Sequence, residues 1–383
     1  MGLKNLHPYA RYKLKVYHKE TSLSSVLKRY ETDIIFIDFC CIFFLLLQNG
    51  PGTDIIRQSL KDNREYDHPD LARAINQFIS RVLKRIKRMR GGKNDLDVCL
   101  VIDGPSIPAK KKTCEERKSR QSNSLKNNFS WKIKKAIQQN LESRADFIPY
   151  REYLKPTAIT TVTKNKKQQK RQDDSNDKKK GITYFHFAAY EADAEIVYLC
   201  NQLTKNEHGA IMSNDGDLFA YPGAFNALRI IQIDWNSSSI PVTITTKSEL
   251  FRKLGFPTSK KLRLLGETKM AVLASLCGND YAPIPIATFN DIVQVIRQIN
   301  CPGNSNDISA DKFLQLVYEE LIRNKDINIS NNFDPQRFSI ALHQFCIPLI
   351  SGVTFDKFRC CHYPGLHINI DKNIIKQLDT GSP

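Results

Sequence analysis

The chain has 383 residues, 41% of them hydrophobic, and carries 57 Lys+Arg against 40 Asp+Glu for a formal net charge of +17. This excludes a disordered chain and leaves room for two domains or one large one. The excess of positive charge favours polyanions, and nucleic acid is the commonest large polyanion.

Other classes fall away on local grounds. The strongest apolar run, Ile34 to Leu47, is 14 residues long and contains Asp38, too short and wrongly charged to span a bilayer. The first 30 residues are polar and basic, unlike a secretory signal, and Leu6 stands where myristoylation needs Ser or Thr. Ten scattered cysteines without a CxxC pair imply neither a zinc site nor a disulfide framework. They read as reduced thiols of an intracellular protein.

In chain order, Asp33 to Phe39 is a β-branched and aromatic run that predicts a buried strand with Asp38 near its end. Phe43, Phe44 and Leu45 continue as an apolar helical segment. From Pro69, the spacing of Leu71, Ile75, Phe78, Ile79, Val82, Ile86 and Met89 predicts one face of a long helix, with Asp70 in its first turn. Its other face carries Arg81, Lys84, Arg85, Lys87, Arg88 and Arg90, either a solvated surface or a phosphate-contacting one. A second strand, Val98 to Ile102, ends at Asp103-Gly104-Pro105 and repeats the pattern of Asp38.

A strongly basic stretch follows, with Lys110, Lys111, Lys112, Arg117, Lys118 and Arg120, then a helical pattern from Trp131 to Leu141. Between Thr157 and Lys180 the composition collapses to Lys, Gln, Asp, Asn and Thr, expected of a disordered insertion. Its two basic clusters also fit a nuclear import signal. Order resumes with a strand at Ile182 to Phe187 and a helix from Tyr190 to Leu203, with Glu191 and Asp193 in the first turn as helix caps or as ligands.

The stretch Gly209 to Asp217, GAIMSNDGD, is a short apolar strand ending in Asp215 and Asp217. Asn214-Asp215-Gly216-Asp217 also reads as a turn, with Gly216 free to take positive φ. A further strand, Leu228 to Ile233, ends at Asp234-Trp235. After Lys247 the patterns are helical: Glu249 to Leu254, Glu267 to Leu276, Asn290 to Ile299, Ala310 to Arg323 and Pro335 to Phe345. Strands alternating with helices predict an α/β fold with a mostly parallel, twisted sheet flanked by helices. A boundary near 245 is expected between an α/β body, 1–245, and a mainly helical C-terminal region, 246–383. The eight histidines are dispersed, and His186 and His343 on apolar segments read as core residues.

Asp38, Asp103, Glu191, Asp193, Asp215 and Asp217 all fall near strand C-termini or helix starts of this sheet, and Asp280 follows the apolar helix ending at Leu276. Carboxylates gathered in one crevice repel each other and persist with cations among them. All-oxygen ligands specify hard ions, Mg²⁺ or Mn²⁺. Two such ions about 4 Å apart activate a water and stabilise the leaving oxygen of a phosphodiester.

These residues carry a resemblance to the flap endonuclease/XPG family of 5′ structure-specific nucleases, from Met1 to about Ile299. Met1-Gly2-Leu3-Lys4-Asn5-Leu6 resembles the family's MGIxxL opening, Phe36-Ile37-Asp38 its first catalytic aspartate and Val101-Ile102-Asp103-Gly104 its second. Tyr190-Glu191-Ala192-Asp193-Ala194-Glu195 is similar to the EAEA element, with Asp193 one methylene shorter than the usual Glu. Ser213-Asn214-Asp215-Gly216-Asp217 matches the SxDxD strand end, and Leu276-Cys277-Gly278-Asn279-Asp280-Tyr281 the LxGxDY segment. The context of Asp280 and Asp234-Trp235 is closer to the asteroid-like branch, or to diverged copies in large DNA viruses, than to the replicative enzyme.

The resemblance implies a PIN-like nuclease core holding two Mg²⁺ ions on the seven acids, with Mn²⁺ as a substitute, and a basic helical arch with its insertion at about 106–180. Lys110 and Arg117, seven and fourteen residues after Asp103, take the places of the arch residues that contact the scissile phosphate. Phe44 takes that of an aromatic on which a terminal base stacks, with core packing as its alternative. Gly2, Lys111, Lys112, Lys118 and Arg120 join the nucleic-acid contacts.

The family's Gly-x-Gly helix-two-turn-helix is missing, since Ala282 to Phe289 contains no glycine, and no sliding-clamp box is found near the C-terminus. The implied activity is Mg²⁺-dependent cleavage of DNA near a 5′ flap or single-strand/duplex junction by a monomeric, nuclear protein without membrane contact. Two alternatives stay open: a single-strand nuclease or 5′ exoribonuclease of the same fold, and a non-catalytic nucleic-acid-binding or assembly protein.

Overall fold

A computed structural model of the protein describes residues 3, 5–39, 69–90, 95–104, 110, 131–144, 148–150, 181–204, 206–234, 238–299 and 309–346. Eight strands among them form one sheet: β1 His18–Glu20, β2 Ile34–Asp38, β3 Asp97–Ile102, β4 Ile148–Pro149, β5 Thr183–Phe187, β6 Gly209–Met212, β7 Leu228–Ile233 and β8 Val242–Thr246. Their order is β1-β8-β7-β6-β2-β3-β5-β4. From β7 to β4 all neighbours are parallel, while β8 and β1 close one edge antiparallel.

β2 lies at the centre and is buried along its whole length, as a continuous Ile-Ile-Phe-Ile run requires of a strand covered on both faces. Its side chains alternate between two cores. Ile34 and Phe36 join Cys99, Val101 and Ile211 on one face; Ile35 and Ile37 join Val98, Leu100, Ala210 and Met212 on the other. Burying each of these large side chains contributes on the order of 2 kcal/mol.

The second core is covered by α1 (Leu23–Arg29), α2 (Pro69–Arg90) and α3 (Trp131–Glu142). In α2 the stripe Ile75, Phe78, Ile79, Val82, Ile86 and Met89 is buried, as its spacing predicts. The first core is covered by α4 (Ala192–Asn201) and by α5 (Lys247–Leu254), α6 (Arg263–Leu276), α7 (Phe289–Gln298), α8 (Ala310–Arg323) and α9 (Pro335–Cys346). Residues from both sides of position 245 therefore share one core, and position 245 itself lies within β8. The expected fold class is the observed one, a mostly parallel sheet flanked by helices.

β1, β4 and β8 are additions to the predicted strands. Among the described residues no helix is long and apolar enough to cross a membrane. The expected helical segment at Phe43–Leu45 and the Lys-rich insertion at 157–180 lie outside the described residues.

Candidate active site

In this sheet order the chain leaves β2 toward β3 on one side, and leaves β6 toward β7 on the other. A crevice therefore opens between the C-terminal ends of β2 and β6, where ligands of open α/β sheets bind. Asp38 is the last residue of β2 and is 6% exposed. Ser213, just past β6, donates its hydroxyl to Asp38 Oδ2 at 3.1 Å and accepts from the Asp215 amide at 3.1 Å. Asp215 in turn caps a single 3₁₀ turn, Gly216–Phe219, by accepting from the Asp217 amide at 3.0 Å.

The turn reading of this stretch and the chemical one are thus both realised: capping by Asp215 carries Asp217 into the crevice, 2% exposed. Gly216 does not use positive φ. It is needed small because its α-carbon lies against the N-terminal segment, where a Cβ would come within 3.3 Å of the Leu3 amide nitrogen.

Asp103 follows β3 and accepts from the Ala192 amide at 2.8 Å, so it caps the start of α4. The adjoining backbones nearly touch. Gly104 donates to Tyr190 O at 2.7 Å, and a Cβ on Gly104 would sit 2.4 Å from Ala188 O, which leaves space for glycine alone. Glu191 occupies the N-cap position of α4, yet its side chain makes no capping bond. Its carboxylate reaches away: Oε2 accepts from Tyr281 OH at 2.7 Å and Tyr221 OH at 3.2 Å, and Oε1 pairs with Lys110 Nζ. Asp193 lies in the first turn of α4. Glu195 faces the other way, accepting from the Ala189 amide at 3.0 Å and bonding His186 at 3.2 Å, which makes it structural.

Asp280 is delivered by the end of α6. Gly278 takes φ +87°, a left-handed conformation that favours glycine. Asn279, 1% exposed, donates to Ala274 O and accepts from the amides of Tyr281 and Ala282 at 2.7 and 2.8 Å. This tight loop turns Asp280 to within 3.6 Å of Lys110 Nζ, whose ammonium also lies 4.6 Å from the centre of the Tyr281 ring.

The electrostatics follow from this crowding. Burial first, then Asp215, Asp38, Asp103 and Asp217, push Asp193 well above the usual carboxylate range. Burial, Asp215 and Asp280 do the same to Asp217, against the pull of Lys110. Burial pushes Lys110 down, but Glu191 and Asp280 outweigh it and hold the ammonium charged. Burial and the Glu191 carboxylate keep the hydroxyls of Tyr221 and Tyr281 protonated as donors. The seven predicted acids thus line one crevice, with Asp193 among Asp38, Asp103 and Asp215, and Asp217 between Asp215 and the group of Glu191, Asp280 and Lys110.

The donor set fits a hard divalent cation. It is all oxygen, and Oδ1 of Asp193 and Oδ1 of Asp217 are buried with no hydrogen-bond partner. Among the described residues, no three His, Cys, Asp or Glu side chains close around one point as an ion cage. The acids form a lined crevice in which the Lys110 ammonium sits against two of them.

Arg117, Phe44, Gly2, Lys111, Lys112, Lys118 and Arg120 lie outside the described residues. Sequence reasoning missed the partners of the acids. Tyr221 and Tyr281 on Glu191, Ser213 on Asp38, and Asn279 behind Asp280 are all brought in by folding. So is His7, which joins Asn214 O (2.8 Å) to Tyr17 OH (2.5 Å) and ties the N-terminal segment to the Asp215 loop. Only Tyr281, adjacent to an acid inside a recognisable segment, had a local signal. His186 and His343 are buried core residues, as predicted.

Fold and crevice define a mostly parallel α/β protein with an acid-lined site at the switch point of its sheet. No family model matches the sequence, and no curated protein matches it. Among solved structures it is similar to the catalytic core of Rad2 in complex with DNA substrate, at 17% identity and a TM-score of 0.49, over 92% of this chain and 89% of that one. It is also similar to human GEN1 in complex with Holliday junction DNA, at 17% identity and 0.40, over 90% and 72%. The eukaryotic junction-resolving enzyme GEN-1 bound to sodium matches at 15% identity and 0.44, over 97% and 71%. These proteins belong to the group that the sequence motifs resemble.

Proposed function

We propose that the protein is a Mg²⁺-dependent nuclease that hydrolyses phosphodiester bonds in DNA near a 5′ flap or a single-strand/duplex junction, in the nucleus or at a viral replication site. One observation carries the reading: seven carboxylates in two overlapping groups line the switch-point crevice, with a single buried ammonium, Lys110, against two of them. Asp38, Asp103, Asp193 and Asp215 would hold one ion, and Glu191, Asp217 and Asp280 the other. Bound Mg²⁺ supplies charge neutralisation and a water of lowered pKa. The chain's own share is to orient these acids through Ser213, Asn279 and the α4 N-terminus, to keep Asp217 away from bulk water, and to offer the Lys110 ammonium to a phosphate oxygen. Arg117 would act beside it.

The test is a panel of labelled 5′-flap DNA, duplex DNA, single-stranded DNA and RNA, run with Mg²⁺ and with EDTA. Flap cleavage by the parent is expected in Mg²⁺ alone. Asp215→Asn/Asp217→Asn is expected to lose cleavage at least a thousandfold while retaining flap binding, since removing one preorganised group alone costs about 10²–10³ in rate. A double variant that cuts like the parent would sink the proposal. The loop from Asn279 to Ile286, which ties directly back to Leu276 O at 3.1 Å and has no glycine for a duplex-anchoring turn, favours a second reading, a single-strand nuclease or 5′ exoribonuclease. Preference for single-stranded substrates in the same panel would establish it.

A further inference from the structure

Glu191 differs from the other acids in how it is held. At a helix N-cap a glutamate with three free rotors ordinarily bonds its own backbone amides or swings into water. Here two phenol hydroxyls from separate parts of the chain meet on one of its oxygens, Oε2, while Oε1 alone is left toward Lys110. Neutral donors fix a carboxylate without cancelling its charge, which an arginine or lysine in their place would do.

Each phenol is anchored independently. The Tyr221 carbonyl accepts from the buried Lys247 ammonium at 2.7 Å. Two residues on, the turn is pinned by Gly223 N to Glu267 Oε1 (3.2 Å) and Ala224 N to Asn201 Oδ1 (2.6 Å), with Gly223 at φ +99°. Tyr281 is set by the Asn279 loop. Both rings rest edge-on against Phe345 of α9, at 5.5 and 6.1 Å between centroids, and Phe345 is fully buried. The last described helix, beyond the stretch where the sequence motifs lie, is thereby the back wall of the site.

We propose that Tyr221 and Tyr281, braced by Phe345, are positioning residues: a two-hydroxyl clamp that locks Glu191 with Oε1 presented to a divalent cation. This rests on the nuclease reading. Tyr221→Phe, Tyr281→Phe and the double variant each remove only hydroxyls. With the full-length proteins, Mn²⁺ binding is read from the electron paramagnetic resonance of the free ion without nucleic acid, alongside metal-free thermal unfolding and steady-state cleavage of flap DNA.

Each single variant is expected to bind Mn²⁺ about tenfold more weakly, and the double variant about a hundredfold, the range found when partners of ligating carboxylates are removed. Metal-free unfolding temperatures should stay near the parent's, kcat should fall with KM for nucleic acid unchanged, and excess Mn²⁺ should restore the single variants. Parent-like Mn²⁺ affinity and kcat in both single variants and in the double variant overturn the clamp while leaving the nuclease reading intact. A parent protein that neither binds Mn²⁺ nor cleaves overturns the nuclease reading, and the clamp with it.

Discussion

Asp217 shows what a single residue sacrifices for such a site. It is 2% exposed, its Oδ1 has no partner, and its nearest charged neighbours are mostly other carboxylates. In the metal-free protein this charge is held against both desolvation and repulsion. Replacing it with the isosteric, neutral Asn should therefore stabilise the metal-free protein, by on the order of 1 kcal/mol, since each pKa unit of perturbation is worth about 1.4 kcal/mol. Asp217→Asn is thus expected to raise the urea midpoint in EDTA while losing cleavage; a lower midpoint would mean that the carboxylate is favourably bonded instead. The identity of the acid was legible from its position two residues after Asp215 at a strand end. Its orphaned oxygen was not, because burial depends on the packing of the Gly216 turn against Leu3.

At the scale of elements, the loop joining α6 to α7 depends on Asn279. Its side chain makes bonds to Ala274 O, the Tyr281 amide and the Ala282 amide, and it is buried where water does not replace them. Asn279→Ala leaves two buried amides unsatisfied, which costs about 2–4 kcal/mol at about 1–2 kcal/mol per group. Denaturant unfolding should show that loss, and cleavage should fall further than stability explains, because Asp280 and Tyr281 are the next two residues. A substitution without effect on unfolding would remove Asn279 from this role.

The elements differ in how far sequence revealed them. β2, β3 and β6 were legible because a parallel strand buried on both faces is a continuous apolar run, here ending in an acid. β8 ends in no acid, and β1 is three polar residues whose strand conformation comes from pairing His18, Lys19 and Glu20 with Ile244, Thr243 and Val242. Such pairing leaves no local pattern.

For the whole molecule, the decisive contact is the buried pair of Lys247, at the start of α5, with Glu267 of α6. Burial pushes the Lys247 ammonium down to about 8, and Glu267 opposes that shift. The pair ties the sheet edge to the C-terminal helices, and through Lys247 Nζ to Tyr221 O it also holds the turn behind Glu191. Removing one partner strands the other charge in the core, so Lys247→Met is expected to cost about 3–5 kcal/mol in denaturant unfolding. Replacing both, Lys247→Met with Glu267→Leu, exchanges a desolvated ion pair for apolar contact and should recover most of that stability. Cleavage should not recover with it, because the methionine offers no donor to the Tyr221 carbonyl and the leucine none of the acceptor that fixes Gly223. A double variant that regains both stability and parent activity would show that the pair only glues the two halves together. Recovery of stability alone would show that the same buried contact both joins the sheet to the helices and sets the geometry of the site.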